Sequence, residues 1–515
     1  MLICKKTETI PKLALNGSTK FEEYVKNIKD LCVLGMVGII DKPRDGIDDV
    51  IKSCRRAGVR IFMVTGDFSV TAAAIASQIG IFSSSNKYHT IEDIKKFKKI
   101  NIDSKQETEP EEQPNKCQQI LSFLPCFGKK VPDNFMPDPD FRSLMLTGAD
   151  LETLNDDSDW RIITKYEEIV FARTTPSQKL KVVEEFKKDK NVVAVTGDGV
   201  NDSPALKAAN IGIAMGGGSE VAMEAAQMVL LDNSFNSMLV AIENGRLVFD
   251  NLRKVILYLL PAGSFAEVVP IVLNIYFGVP LPLSAFQMIC ICVLTDMGPS
   301  LAMMLEKSEG DILERNPRVL GRDRLVDKKL LLFAYFFLGV FESFFSIFMF
   351  FLYLSIHGNL QPSHVFFAFD KWKDGYQGKS QEELDHLMFT GQTVTFTTLV
   401  MIQTFGNIFI TRTHKVSLFR SFPVLKAHRN LWIFLAQITS VILLIVIIYV
   451  PFINNIFGTR PIPAEFYFIP LAFCVVFIAI DEVRKLFFRR GVKPSCRAPI
   501  HPARAIQRSP SGLIR

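Results

Sequence analysis

Apolar positions along this chain fall into two regimes. Up to about residue 230 they come as short, wholly or mostly apolar runs, at 59–62 (interrupted by Arg60), 168–170 (opened by Glu168) and 192–195, leading into Met-Val-Thr-Gly-Asp, Phe-Ala-Arg-Thr-Thr and Thr-Gly-Asp-Gly. Short runs bounded by turn residues predict buried strands of a parallel sheet with helices between them. Strands are expected near 31–40, 59–64, 168–171, 192–196, 212–214 and 228–230. From about residue 255 the runs lengthen into six segments, at 255–278, 282–304, 330–356, 394–410, 431–452 and 466–479. Most are near the roughly twenty residues a membrane-spanning helix needs. The segment 394–410, with its threonines and Gln403, also fits a buried helix of a soluble core, and 466–479 must borrow length from its flanks. Six in series do not fit a soluble core.

Charge placement orients these segments. Lysine and arginine gather in 306–329, in 412–429 and from 484 onward, whereas 279–281, 357–387 and 454–465 are short or balanced to acidic. Basic connections mark the cytoplasmic side, so both termini are expected there. The net charge of +6 is accounted for at that membrane face and requires no nucleic-acid partner. Residues 1–21 are polar and interrupted, unlike a secretory leader. The nine cysteines show no zinc-like spacing and are expected to be free thiols. Asn16-Gly17-Ser18 fits a glycosylation sequon, but this topology places it in the cytosol. Residues 101–140, rich in Glu, Gln, Lys and Pro, are expected to form a mobile insertion, and 488–515 a disordered basic tail with weak affinity for anionic lipid.

The string TGDGVNDSPALKAAN at 196–210 follows an apolar run, so Asp198 and Asp202 fall past a strand's carboxyl end, where open α/β sheets gather ligands. Ser203 is expected to cap the next helix, with Pro204 its first residue. Two carboxylates on glycine-rich backbone suit Mg²⁺, which takes few protein oxygens. Thr65, Gly66 and Asp67 end a second strand, and Arg173 and Lys179 follow a third, Lys179 in the first turn of a helix opening at Pro176. Thr65 is suited to bond a phosphoryl oxygen, Lys179 to neutralise it and Asp198 to hold a metal. Taken alone, the Gly-Asp-Gly turn also fits solvated acids.

With these motifs the chain resembles the carboxyl-terminal half of a type II P-type ATPase, most like the sodium/potassium and gastric proton/potassium pumps. DKPR at 41–44, GRLVFDNLRK at 245–254, VPLPL at 279–283, TDM at 295–297 and DEVRKL at 481–486 extend the match, which covers about 20–100 and 137–487. The resemblance implies an α/β plus all-α membrane chain: an incomplete haloacid-dehalogenase-like doubly wound parallel sheet followed by a six-helix transmembrane bundle. It divides the chain into 1–30 (a remnant of the nucleotide-binding domain), 31–250 (phosphorylation domain), 251–487 (membrane) and 488–515. It assigns Thr65, Gly66, Asp67 and Lys179 to catalysis, Asp198 and Asp202 to Mg²⁺, and Asn201 and Arg173 to the phosphate or nucleotide side. The family's Asp-Lys-Thr-Gly-Thr nucleophile motif does not occur in these residues. Covalent phosphorylation needs that nucleophile, so ATP is expected to act only with an amino-terminal half.

Ionisable side chains inside spans point to function. Glu267 follows Pro261-Ala262-Gly263, and Asp296 precedes Gly298-Pro299, where freed carbonyls favour a cation. The resemblance places both, with Gln403, on monovalent-cation positions. Cys292 and Gly406 stand where the pumps carry acids, and the 258–267 stretch holds one residue more than the pump pattern. Glu342 fits either helix–helix glue or an ion path. Residues 374–377 fit a surface turn or a contact for a small glycoprotein subunit. The functional alternatives are part of a cation pump in the plasma membrane, an inactive membrane protein that binds Mg²⁺ or phosphate or regulates a full-length pump, and a phosphatase on a membrane anchor.

Overall fold

The computed structural model describes residues 2–5, 32–36, 43–96 except 45 and 84–87, and 142–491 except 155, 233, 310–311, 320, 414–415 and 426–427. The expected insertion at 101–140, the sequon and the tail beyond 491 lie outside them. The chain forms two compact units, Met1–Arg55 with Arg60–Ser237, and Arg56–Val59 with Met238–Arg515.

The first unit holds eight described strands: β1 (Leu2–Lys5), β2 (Cys32–Met36), β3 (Met63–Val64), β4 (Ser143–Thr147), β5 (Glu168–Ala172), β6 (Ala194–Gly197), β7 (Ile211–Met215) and β8 (Met228–Leu230). Two parallel sheets, in the orders β3-β5-β4 and β6-β7-β8, make up its body. A strand, β2, lies within the expected 31–40, but its pairing corrects the expectation: among the described residues it pairs antiparallel with β1 and joins neither parallel sheet. The strand expected at 59–64 pairs only at Met63 and Val64, and β4 is an additional strand.

β5 is buried along its whole length because both of its faces are covered. Ile169 and Phe171 pack with Trp160 and Ile163 from helix Asp157–Ile163 and with Val182 and Phe186 from helix Pro176–Lys188. Val170 and Ala172 pack on the other face against Ile51 and the alanines of helix Ser69–Gln78. Helices on both faces of a parallel sheet are the doubly wound arrangement. β3 and β6 differ. Among the described residues each pairs on one side only, and neither is fully buried along its length.

Among the described residues six helices are long and apolar enough to cross a membrane: Phe235–Phe277, of which all but the first three residues belong to the second unit, Ala285–Met304, Lys328–Gly358, Gln381–Arg412, Trp432–Tyr449 and Glu465–Phe487. Large apolar side chains such as Phe336 and Val475 are exposed, while Asp296, Glu342 and Gln403 are buried. That inside-out distribution fits a bundle whose surroundings are hydrocarbon. The fourth span is the most enclosed, with 89% of its apolar window buried. Its threonines are tolerated there because the hydroxyls of Thr390, Thr393, Thr395 and Thr398 bond carbonyls four residues back. Four spans carry π-helical segments, at Pro261–Phe265, Cys290–Thr295, Phe333–Gly339 and Ile402–Asn407.

Candidate functional site

The motif residues of the first unit sit at three strand ends. After β3 the chain closes on itself: the Asp67 amide donates to Thr65 Oγ1 at 3.1 Å, and that hydroxyl donates to Asp67 Oδ2 at 3.0 Å. This turn is laced to the end of β5, where the Arg173 amide bonds Asp67 O at 2.9 Å and the Thr174 amide bonds Thr65 O at 3.1 Å. Gly66 faces open space. Arg173 adopts a left-handed φ of 52°, and its guanidinium lies 4.5 Å from the centre of the Phe68 ring. The arginine assigned to phosphate is thus stacked on an exposed aromatic.

Helix Pro176–Lys188 then begins with a capping box between Thr175 and Gln178, which fixes Lys179 in the first turn. Lys179 Nζ reaches Asp202 Oδ1 at 2.7 Å, both side chains being about four-fifths buried. Asp202 lies against Gly197, where an added Cβ would come within 2.6 Å of the Asp202 Cβ. Asp198 is exposed, 3.9 Å from Arg44 Nη2, and its carbonyl accepts the Ser219 amide at 2.8 Å. Asn201 is exposed within the 3-10 turn Val200–Asp202. Ser203 corrects an expectation: it is the first helical residue, and its hydroxyl makes no cap.

Lys179 and Asp202 are therefore in contact, with Asp198 on the same loop. Thr65 and Asp67 form a second group joined to Arg173 and Thr174. Among the described residues no hydrogen bond or ion pair joins Thr65 or Asp67 to Asp198 or Asp202. The link between the groups is the chain itself, because Thr174 bonds Thr65 and Thr175 caps the helix bearing Lys179. One exposed and one lysine-held carboxylate fit a Mg²⁺ that keeps most of its waters. No group of three or more Asp, Glu, His or Cys suited to a metal occurs among the described residues.

In the spans, Glu267 is half-buried and accepts from Cys292 Sγ at 3.1 Å. Asp296 is 3.4 Å from the Tyr258 hydroxyl, and Asn407 Nδ2 lies 3.3 Å from Tyr258 O. Asn407 also donates to Gln403 Oε1 at 2.9 Å, and Gln403 Nε2 donates to Glu342 Oε2 at 3.3 Å. The expected acids thus belong to two contacts, Glu267 with Cys292 and Asp296 with Tyr258. Gln403 joins Glu342 and Asn407 instead. Tyr258 gave no signal in the sequence, being one aromatic among many. Arg412, which opens the basic connection 412–429, is buried and pairs with Glu306 at 2.7 Å. Cys32, Cys54, Cys290, Cys292 and Cys474 are free thiols.

This is a haloacid-dehalogenase-like domain joined to a multi-pass membrane helical bundle. A family model described as cation transporting ATPase, C-terminus, matches residues 280–487, and two described as haloacid dehalogenase-like hydrolase match 7–109 and 167–242. The chain is 34% identical over 480 residues to the sodium/potassium-transporting ATPase subunit alpha of Hydra vulgaris, covering 91% of this chain and 43% of that protein. It is 35% identical over 470 residues to the potassium-transporting ATPase alpha chain 2 of Homo sapiens, covering 89% and 41%. The chain belongs to the P-type cation-transporting ATPases and corresponds to their carboxyl-terminal portion. It spans less than half the length of these relatives.

Proposed function

We propose that the chain is the phosphorylation-domain and carboxyl-terminal membrane part of an ATP-driven monovalent-cation pump. The observation that carries this reading is the joint presence, in one polypeptide, of a lysine–aspartate pair at parallel-strand ends and carboxylates buried within spans. Thr65 and Lys179 are assigned to the phosphoryl group and Asp67 to shaping the turn that holds Thr65. Asp198 and Asp202 are assigned to Mg²⁺, Gly66 to the same catalytic turn as Thr65, and Asn201 and Arg173 to the phosphate or nucleotide side. A Mg²⁺ bound there would neutralise phosphoryl oxygens. Lys179, already oriented by its helix cap, would exchange Asp202 for phosphate. Glu267, Asp296 and Gln403 are assigned to the transported cation. The helix that begins at Phe235 continues unbroken through the π segment to Phe277, a covalent route between the two chemistries.

The 515 residues contain no Asp-Lys-Thr-Gly-Thr. This supports a chain that forms no phosphoenzyme by itself and acts with an amino-terminal pump part, which would bring the ATP. The same fact favours a second reading, a membrane protein that binds Mg²⁺ or phosphate and regulates a full-length pump. The charge pattern supports cytoplasmic termini, while the plasma membrane and a small glycoprotein subunit, at residues 374–377, are carried over from the pump resemblance alone. Incubation of the purified chain with labelled ATP and Mg²⁺ tests the central claim. No acid-stable label is expected on the chain alone, and a label on it would refute the assignment. Labelling that appears only with an amino-terminal part carrying the nucleophile would separate the pump reading from the regulator.

A further inference from the structure

Glu342 is a carboxylate for which the spans supply too few donors. It is 0% exposed, and among the described residues its one hydrogen bond comes from Gln403 Nε2 to Oε2, which leaves Oε1 without a partner there. The same deficit recurs along the string of contacts leading away from it. Asn407 spends its amide group on Gln403 Oε1 and Tyr258 O, and its own Oδ1 has no donor. Asp296 meets the Tyr258 hydroxyl through Oδ1, and its Oδ2 has none. Three buried oxygens on three different spans are thus orphaned, and among the described residues no lysine or arginine pairs with either acid.

The first unit shows how this protein satisfies a buried carboxylate when the role is structural. Glu168, also buried, receives the Ser83 amide at 2.9 Å, the Ser143 hydroxyl at 2.6 Å and the Arg55 guanidinium at 3.2 Å. Glu342 receives one amide. An unpaired charge in a dry interior is too costly to leave uncompensated. A proton on each acid would leave Asn407 Oδ1 without a donor of its own, whereas a cation is a partner that carboxylate and amide oxygens can share. Both spans that supply the cluster's new members are locally π-helical, at Phe333–Gly339 just before Glu342 and at Ile402–Asn407 around Gln403 and Asn407. Such segments concentrate at functional sites.

We propose that Glu342, Asn407 and Asp296 hold one small monovalent cation, with the binding carboxylate carried by the third span. The proposal rests on the pump reading only in that ions enter this bundle. It needs neither the phosphate site nor Glu267.

The test is equilibrium binding of radiolabelled sodium and of radiolabelled rubidium to the full chain in detergent, with thermal melting as the control for folding. Glu342→Gln keeps the shape and hydrogen-bonding capacity of the side chain. A helix-gluing residue would therefore leave ion binding unchanged, whereas a ligand would lose it. We expect Glu342→Gln and Asn407→Leu to weaken binding of the retained ion by at least about tenfold, with the Gln variant melting no lower than the wild type. Wild-type binding by Glu342→Gln overturns the inference, as does a wild-type chain that binds neither ion. Normal binding by Glu267→Gln beside loss in Glu342→Gln would sustain this site and overturn the Glu267 assignment. The reverse pattern would sustain Glu267 and overturn this site.

Discussion

Gly197 lies so close to Asp202 that no side chain fits at 197 without moving the aspartate. An alanine at 197 would put a methyl carbon 2.6 Å from the Asp202 Cβ and displace the carboxylate that Lys179 holds at 2.7 Å. Gly197→Ala should destabilise the first unit by about 1–3 kcal/mol, read as a lower unfolding midpoint. Asp93 offers a pH-dependent counterpart. The Thr90 amide donates to its Oδ2 at 2.9 Å, holding the carboxyl below its ordinary value against the opposing effect of burial. Because the folded value is depressed, this contribution is complete above the unfolded value and drains away as pH falls through the folded one. Acid unfolding followed from about pH 5 to about pH 2 should therefore show a shallower slope in Asp93→Asn. At this scale the sequence was informative where residue type dictates geometry, as with the glycines and aspartates of 196–202. It was silent where the neighbour decides. Arg173 finds a ring that happens to be Phe68, and Ser203 falls one position inside the helix it was expected to cap.

Among the elements, β3 and β6 stand apart from β5, because each is bonded along one edge only among the described residues. Backbone amides protected on one side open more readily than those locked between two neighbours. Hydrogen exchange should accordingly be faster at Met63–Val64 and Ala194–Gly197 than at Glu168–Ala172, and equal rates would contradict this. The fourth span makes the complementary point. Its composition left it open to a soluble reading, because a hydropathy count does not register hydroxyls that bond their own helix. The end of that span is pinned by Arg412, which pairs with Glu306 while Asn430 donates to the same acid at 2.9 Å. Removing one partner strands a buried charge, so Glu306→Gln should destabilise the second unit by about 3–5 kcal/mol. Glu306→Gln combined with Arg412→Met should restore part of that loss in a detergent melt.

For the whole molecule, long apolar runs and signature motifs made both halves legible: parallel strands first, spans afterwards. What the sequence did not convey was which polar groups meet inside the bundle, since those contacts join residues as far apart as Tyr258 and Asn407. Six spans require both ends of the second unit to lie on one side of the bilayer. Single cysteines introduced in 279–284, 359–380 and 450–464 should react with an impermeant reagent added outside intact cells. Cysteines in 306–327 and 416–430 should react only after permeabilisation, and the opposite pattern would invert the proposed orientation.

The π segment in the first span bears on how such a membrane helix changes over time. Nine α-helical steps from Tyr258 to Glu267, at about 100° each, would leave the two side chains back to back. A π turn absorbs one residue, so only eight steps count and the separation falls to about 80°. The segment Pro261–Phe265 therefore works as a vernier, taking up a supernumerary residue while the acid keeps its bearing. Deleting one residue within it should relax the turn to ordinary helix and leave Glu267 facing Cys292. The same deletion one turn further on would swing everything beyond it toward lipid.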